Sequence, residues 1–316
     1  MPLASKKNQR TEKTTPAQSD VDVTPRNEQE ELPQVPKVTA LIYSYNNAPG
    51  LRRCLAALEA STVRANLEIL VVDKGSRDES STLDSEFPNT TFLRLPRNFG
   101  NTKALNIAIR TSVGELVFFL TPEIEVHPDT VAQLMARLEA DTESVAVCPL
   151  MIDEQGTPVE QVYRLPANET GGQPIAVPIV AGSGPVAVEY HPFQAMMARK
   201  YFIRGINFLD ERFGEFGADA EVCFQIRRAG RKVTVATDLT VLRTAAPVRI
   251  SSGASTLLEA DRIHGIAVYL TKRHGFVSGL LFRLGQIAGA LFQFRFGLFG
   301  ELISFSKIDG SQSTYL

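Results

Sequence analysis

The chain has 316 residues, of which 44% are hydrophobic, and a formal net charge of −2. This length is enough for one large domain with an appendage, and the near-neutral charge argues against a nucleic-acid partner, which would need a clustered basic excess. Cys54, Cys148 and Cys223 form no C-x-x-C pair. We therefore expect buried thiols in a reducing compartment rather than a disulfide framework or a zinc site.

The first 36 residues are rich in Lys, Glu, Ser, Thr, Gln and Pro and contain few apolar side chains. Such a segment cannot bury enough apolar surface to fold, so a disordered tail over residues 1–36 is predicted. It also lacks the apolar stretch of a secretory signal peptide, and we therefore expect a cytoplasmic protein.

From Lys37 onward, short apolar runs of strand length alternate with segments of helical periodicity. Strands are predicted over residues 38–43, 67–73, 91–95, 116–120, 145–147, 232–236 and 239–242. Helices are predicted around residues 51–58 and over 80–87, 102–111, 128–140 and 220–229, and again from residue 257. This alternation predicts an α/β fold over residues 37–250, with a Rossmann-like, mostly parallel sheet flanked by helices. Residues 153–192 are richer in Gly and Pro and predict loops or a β-excursion over the sheet.

The second predicted strand is a continuous apolar run that ends at Asp73 and is followed by Gly75 and Ser76. Ligands of open α/β sheets bind beyond the carboxyl ends of the strands, and a carboxylate there can accept hydrogen bonds from a nucleobase or ribose. The alternative is an aspartate that fixes the turn through its own backbone. The pattern favours a nucleotide-binding α/β enzyme.

Five sequence blocks follow one another along the chain in a characteristic order and spacing. They are Tyr45-Asn46-Asn47; Val71 to Asp78; Arg97 to Gly100 with Ala104-Leu105-Asn106; Phe119 to Glu123; and Phe216 to Cys223 leading to Arg227 to Gly230. Together, over roughly residues 38–275, they resemble the family-2 glycosyltransferases of the GT-A fold, including rhamnosyltransferase-like nucleotide-sugar transferases. The resemblance implies an inverting hexosyl- or deoxyhexosyltransferase that moves a sugar from a nucleoside-diphosphate donor to a hydroxyl acceptor in cell-envelope polysaccharide or glycolipid synthesis.

The resemblance also implies a donor site. It places Tyr45 and Asp73 at the nucleoside, and it places Asn98, Gly100 and Asn106 along the donor pocket. A glycine permits close backbone approach, and amides can bond a sugar or phosphate without adding charge. Both asparagines are also ordinary residues for a turn or a helix edge, and that alternative stays open.

The metal-binding D-x-D motif of the family corresponds here to Thr121-Pro122-Glu123. Glu123 is the expected ligand of a divalent cation, Mg²⁺ or Mn²⁺, since its carboxylate is a hard oxygen ligand. After the last predicted strand, Arg243 stands where relatives place a metal-binding histidine, and it could neutralise phosphate in place of the cation. The alternative is that both side chains are merely solvated.

The resemblance assigns the catalytic base to Asp219, with Ala218 in place of the glutamate that many relatives carry. Its competing interpretation is an N-cap of a helix that begins at Ala220, and Glu221 is the reserve base. The altered residues motivate a second hypothesis, a catalytically inactive relative that binds nucleotide-sugar or glycan as a scaffold. A nucleotidyltransferase ranks third, because the first strand is not followed by a glycine-rich, lysine-containing loop.

The C-terminal extension, residues 251–316, is predicted to be helical and unusually apolar. Val277 to Phe305 contain only three charged residues, Arg283, Arg295 and Glu301. The arginines leave too short a run for a membrane-spanning helix, and the pattern fits an interfacial helix at the inner face of the cell membrane or a homo-oligomer contact. The alternative is packing on the protein's own core. The expected partners are a nucleoside-diphosphate sugar, a glycan or lipid-linked acceptor and a membrane surface.

Overall fold

Four parallel strands form the first half of a nine-stranded sheet in the computed structural model, which describes residues 36–245 and 252–311. They are β1 (Val38–Ser44), β2 (Leu67–Asp73), β3 (Thr91–Arg94) and β4 (Leu116–Leu120), in the order β3-β2-β1-β4. Every residue of β4 is buried. This is typical of a parallel strand covered on both faces, where the sequence is apolar throughout rather than alternating.

The second half of the sheet is mixed. It contains β5 (Ile124–Glu125), β6 (Ser144–Ile152), β7 (Pro185–Val188), β8 (Ala195–Arg199) and β9 (Lys232–Arg243). Strand β8 lies antiparallel between β4 and β6, β6 runs parallel to β9, and β5 and β7 pair antiparallel with β9. The predicted strands 232–236 and 239–242 are one strand with an irregular register, and β8 was not predicted.

Helices cover both faces of this sheet. They are α1 (Ala48–Glu59), α2 (Leu83–Glu86), α3 (Gly100–Thr111), α4 (Thr130–Ala140), α5 (Lys200–Gly205), α6 (Ala218–Arg228), α7 (Ser252–His274), α8 (Phe276–Phe292) and α9 (Phe296–Ile303). One core cluster joins the sheet to α1 and α4, and the other joins it to α3 and α6. The predicted α/β architecture is confirmed, and Cys54, Cys148 and Cys223 are buried free thiols as expected.

The C-terminal helices pack on α7 through a small cluster of their own. Its members are Ala260, Ile263, Ala290, Leu298 and Leu302. The outer side of α8 and α9 leaves large apolar side chains in solvent, such as Leu281 at 63% and Phe292 at 83% exposure. None of the helices in the described part combines the length and hydropathy needed to cross a bilayer. Residues 1–35 of the predicted tail, which was expected over residues 1–36, and the predicted domain boundary at residue 250 lie outside the described residues.

Candidate functional site

The carboxyl ends of β1 and β2 lie side by side, with Ser44 paired to Asp73. Asp73 is buried, and its Oδ1 accepts a hydrogen bond from the backbone N–H of Ser76 at 2.8 Å. The turn-fixing role is therefore present. Oδ2 has no hydrogen-bond partner among the described residues, so one carboxylate oxygen is left for a ligand.

The loops after β1 and β2 are held together by side chains of the first two blocks. The Asn46 N–H donates to Ser76 Oγ at 2.9 Å, and Asn46 Oδ1 accepts from the Arg77 N–H at 2.8 Å. Asp78 Oδ2 accepts from the Ala48 N–H at 2.8 Å. The Tyr45 ring is half-buried beside them, with its centroid 5.9 Å from Lys74 Nζ. These bonds fix the edge at which Tyr45 and Asp73 meet.

A buried ion pair links the second block to residues that adjoin the third and fifth blocks. Lys74 Nζ lies 2.5 Å from Glu215 Oε1, and the two side chains are only 5% and 12% exposed. Lys74 also donates to Asn101 Oδ1 at 2.7 Å. Sequence reasoning missed this pair, although Lys74 directly follows Asp73 and Glu215 directly precedes the fifth block.

The N-terminus of α3 is closed by protein groups. The backbone N–H groups of Gly100, Asn101 and Thr102 donate to Asn98 Oδ1, Glu215 Oε2 and Gly214 O. A free helix N-terminus would bind an anion, but the first three backbone N–H groups of α3 are already hydrogen-bonded to protein groups. Asn98 therefore shapes the terminus by capping it.

Gly100 is required for a close approach of the chain to itself. Its φ is +80°, and a Cβ there would lie 2.6 Å from the Ile308 carbonyl oxygen. Ile308 is buried, and its N–H donates to Asp261 Oδ1 at 2.7 Å. Asp261 also accepts from the backbone N–H of Glu215 at 2.8 Å. The C-terminal segment thus contacts the third block.

Asn106 lies in a different setting from the other predicted donor residues. It is buried six residues beyond Gly100, about 9 Å along the helix axis. Its Nδ2 donates to Leu209 O at 2.9 Å, and its Oδ1 accepts from the Leu209 N–H at 3.0 Å. It lines a separate polar cleft of about 380 Å³ with Arg110 and Lys272. Its donor-binding role stays a prediction.

The side chain of Glu123 contacts Asn47, the residue that caps the N-terminus of α1. Its Oε1 accepts a hydrogen bond from Asn47 Nδ2 at 2.7 Å, and Asn47 Oδ1 caps the helix through the Gly50 N–H at 3.1 Å. Arg243 pairs with Ile124 across the sheet and has no hydrogen bond to another described side chain. Within residues 36–245 and 252–311, no group of three acidic, histidine or cysteine side chains is placed to hold a metal.

Tyr43, near the carboxyl end of β1, was not predicted as a site residue from the sequence. Its hydroxyl donates to the Phe193 carbonyl at 2.7 Å. Desolvation raises the pKa of this hydroxyl, and the negative charges of Asp219, Glu123 and Glu215 raise it further. The three carboxylates are therefore near enough to Tyr43 to act electrostatically on its hydroxyl. The only sequence signal was a tyrosine in an otherwise apolar strand.

Asp219 is not the N-cap, so the capping alternative is wrong. Helix α6 begins two residues earlier than predicted, at Ala218, because Gly217 adopts φ +101° and takes the cap position. Asp219 Oδ2 accepts from the Tyr190 hydroxyl at 3.0 Å, and Oδ1 accepts from the Ala220 N–H at 2.9 Å. Desolvation raises the pKa of the Asp219 carboxyl, and the two hydrogen bonds act in the opposite direction by lowering it. The reserve base, Glu221, is bound to basic residues of α7.

A pocket of about 120 Å³ opens beside Asp219. Helix α7 and the loop around residues 166–174 form its walls. Its lining includes Pro174, Tyr190, Phe216 and Ile266, with Arg262 as the only basic group. The arrangement places the Asp219 carboxylate in the wall of a mainly apolar pocket.

Solved structures share this architecture. GalNAc-T7 with UDP, GalNAc and Mn²⁺ is similar with a TM-score of 0.60 at 17% identity, covering 74% of this chain and 47% of that one. A Pyrobaculum calidifontis mannosyltransferase with GDP-Man and Mn²⁺ has a TM-score of 0.54 at 17% identity, covering 86% and 74%. The fold is therefore the GT-A fold of glycosyltransferases. Residues 39–204, more than half of the chain, match the family described as glycosyl transferase family 2, and the chain belongs to that family.

Curated relatives are more distant in sequence. An N-acetylglucosaminyltransferase of Mesorhizobium japonicum is 25% identical over 260 residues, covering 75% of this chain and 60% of the relative. A pre-mycofactocin glycosyltransferase of Mycobacterium tuberculosis is 27% identical over 200 residues, covering 62% and 40%. The chain spans about half the length of the curated relatives it matches.

Proposed function

We propose that the protein is an inverting glycosyltransferase that uses a nucleoside-diphosphate sugar and a hydroxyl acceptor. The observation that carries the proposal is that two carboxylates meet at the carboxyl end of β1: Asp73 is paired with Ser44, and Glu123 accepts a hydrogen bond from Asn47. Asp219 is near enough to Tyr43, on the same strand, to act electrostatically on its hydroxyl. Family membership and the GT-A fold support this assignment. The nucleotides named in the similar structures, UDP and GDP-Man, support the class of donor.

Asp219 is the proposed base. Its Oδ2 would take the proton of the acceptor hydroxyl while the acceptor oxygen attacks the anomeric carbon opposite the diphosphate, which inverts the configuration. The raised pKa makes the carboxylate a stronger base, and the Tyr190 hydroxyl orients Oδ2. General-base catalysis of this kind contributes about 10²–10⁴-fold in rate.

The leaving diphosphate needs positive charge. The first N–H groups of α3 are already bonded within the protein. The sequence offers two other candidates, a bound cation and Arg243. A single carboxylate fits a Mg²⁺ or Mn²⁺ ion that substrate phosphates help to hold, rather than an all-protein site. Glu123 would hold such an ion, which when bound would neutralise the leaving group. The Mn²⁺ in related structures supports this part of the proposal.

The acceptor is proposed to enter the pocket beside Asp219. Its apolar walls and Arg262 suit a glycan carried on an anionic lipid, in cell-envelope polysaccharide or glycolipid synthesis. A relative named undecaprenyl-phosphate 4-deoxy-4-formamido-L-arabinose transferase supports this class. The exposed apolar side of α8 and α9 would then rest on the inner face of the cell membrane. A second copy of the chain is the other candidate for covering it.

Incubation of the full chain with UDP-, GDP- and dTDP-sugars, with and without MnCl₂, tests the proposal. We expect slow release of nucleoside diphosphate from at least one donor, and proton NMR should show the inverted anomer of the released sugar first. Asp219→Asn is the control, because it should bind the donor without this release. Donor binding with no release under any condition would instead support the catalytically inactive scaffold.

A further inference from the structure

Three polar residues form the last rung of the sheet at the site: Tyr43, Thr121 and Gln194. The register of β1 with β4, and of β4 with β8, sets them side by side, one residue beyond the last paired positions. The Thr121 N–H donates to the Gln194 carbonyl at 3.1 Å, which extends the β4–β8 pairing to this rung. Gln194 therefore lies directly beside the first residue of the motif that contains Glu123.

The side chain of Gln194 belongs to the face of the sheet that carries the proposed base. Side chains two residues apart on a strand share a face. Phe119 and Met196, two residues from Thr121 and Gln194, belong to the cluster that contains α3 and α6. Asp219 is on α6, which packs on that face. Gln194 thus lies beside the metal motif, on the face of the sheet that carries the proposed base.

The amide oxygen of Gln194 is buried and has no hydrogen-bond partner among the described residues. Buried polar atoms are almost always hydrogen-bonded, and an exception calls for a reason. The oxygen itself lies below the surface, but the residue as a whole is only partly buried, and rotation of the side-chain amide about its last torsion, which is broad and two-fold, would bring the oxygen to a ligand. A ligand that donates a hydrogen bond to this oxygen would remove the penalty of leaving it unpaired.

The chemistry of that ligand group follows from the atom. An amide oxygen accepts hydrogen bonds and cannot donate them. Phosphate oxygens of a diphosphate are acceptors too, whereas sugar hydroxyls and acetamido N–H groups are donors. The anomeric carbon must lie within reach of both the leaving diphosphate and the acceptor held by Asp219. A sugar ring in that position would lie against the last rung.

We infer that Gln194 selects the donor sugar, by accepting a hydrogen bond from one of its hydroxyl or acetamido N–H groups. This inference rests on the proposed function. Gln194 acts by binding the sugar and takes no part in proton transfer, so its loss should change donor selectivity more than the affinity for a nucleotide without a sugar.

Gln194→Met tests the inference, because methionine keeps the length of the side chain and removes the acceptor. The readouts are kcat/KM for donor hydrolysis with UDP-glucose, UDP-galactose, UDP-GlcNAc and GDP-mannose, the affinity for UDP and GDP alone, and the Tm of the free protein. Gln155→Met, in an exposed loop, is the matched control.

We expect kcat/KM for the preferred sugar to fall about 10-fold or more and its advantage over the other sugars to shrink. Nucleotide affinity should stay unchanged, and Tm should hold or rise because an unpaired buried acceptor is gone. Unchanged selectivity, or an equal loss for all sugars and for UDP and GDP, would overturn the inference while the proposed function stands. A native protein that releases nucleotide from no donor would overturn both.

Discussion

Replacing Asp219 with asparagine separates the proposed base from a structural residue. Because Gly217 takes the cap position of α6, the aspartate is not needed to begin the helix. An asparagine Oδ1 can keep the hydrogen bond from the Ala220 N–H, and its Nδ2 can donate to the Tyr190 hydroxyl oxygen in place of the bond that Oδ2 now accepts. The substitution therefore removes proton acceptance and little else.

Two opposing effects set the change in stability. Loss of a negative charge from the first turn of α6 costs about 0.3–1 kcal/mol through the helix dipole. Removal of a desolvated charge acts in the other direction, and the raised pKa of the Asp219 carboxyl shows that burial disfavours its charged form. The free energy of unfolding of Asp219→Asn should therefore stay within about 1 kcal/mol of the native value. Turnover should fall at least about 10²-fold.

Donor titration and single-turnover transfer on the same preparations measure the two quantities. The expected result is an intact donor affinity with a large loss of rate. Tyr190→Phe is a useful companion, because loss of its hydrogen bond should move the acidic limb of the kcat/KM profile to higher pH and leave the maximum nearly intact. Asp219→Asn with native turnover, or with weakened donor binding and a lowered Tm, would refute the assignment.

Three further outcomes are expected. Glu215→Ala leaves the buried ammonium of Lys74 without a charged partner and should destabilise the fold by about 3–5 kcal/mol in urea titrations. Lys74→Met in the same chain should recover part of that loss. Burial raises the pKa of the Asp261 carboxyl to about 7. Its contribution to stability is therefore fully present below about pH 4 and lost as the pH rises to about 7, at about 1.4 kcal/mol per pH unit, and Asp261→Asn should flatten this slope. Leu281→Ser with Phe292→Ser should lower liposome co-sedimentation without lowering Tm, whereas an unchanged liposome fraction with a smaller mass in light scattering would identify the surface as an oligomer contact.

Local sequence patterns predicted the first half of the sheet because its strands are mainly apolar runs, each with a partner nearby in the sequence. Strand β8 could not be predicted this way. Its apolar run is short, it follows a Gly- and Pro-rich stretch, and it is fixed by pairing with β4, which lies some 75 residues earlier in the chain. The two predicted strands within β9 are one strand, because the irregular register hides its continuity from periodicity.

The site was predictable where a block carries its own chemistry. Asp73 lies at the end of its strand and Asp219 lies at the start of its helix, as their local patterns indicate. The sequence could not distinguish Asn106 from a residue that binds the sugar donor. Only the folded chain reveals that both the Nδ2 and the Oδ1 of Asn106 are hydrogen-bonded to the backbone of Leu209. Tyr43 lies in β1, and Gln194 directly precedes β8, about 150 residues later in the chain. Only the register of the sheet places the two residues on one rung.

The central claim is that the edge of the sheet at Asp73 binds a nucleoside diphosphate. Isothermal titration calorimetry of UDP and GDP, with MnCl₂, into the native protein and Asp73→Ala tests it most directly. The account predicts saturable binding to the native protein and a loss of about 5- to 150-fold in the variant, the equivalent of 1–3 kcal/mol for a lost buried hydrogen bond. Asp73→Asn, which can keep the bond from the Ser76 N–H, controls for the turn and should unfold at the native temperature. No binding by the native protein, or equal affinity in Asp73→Ala, would contradict the account.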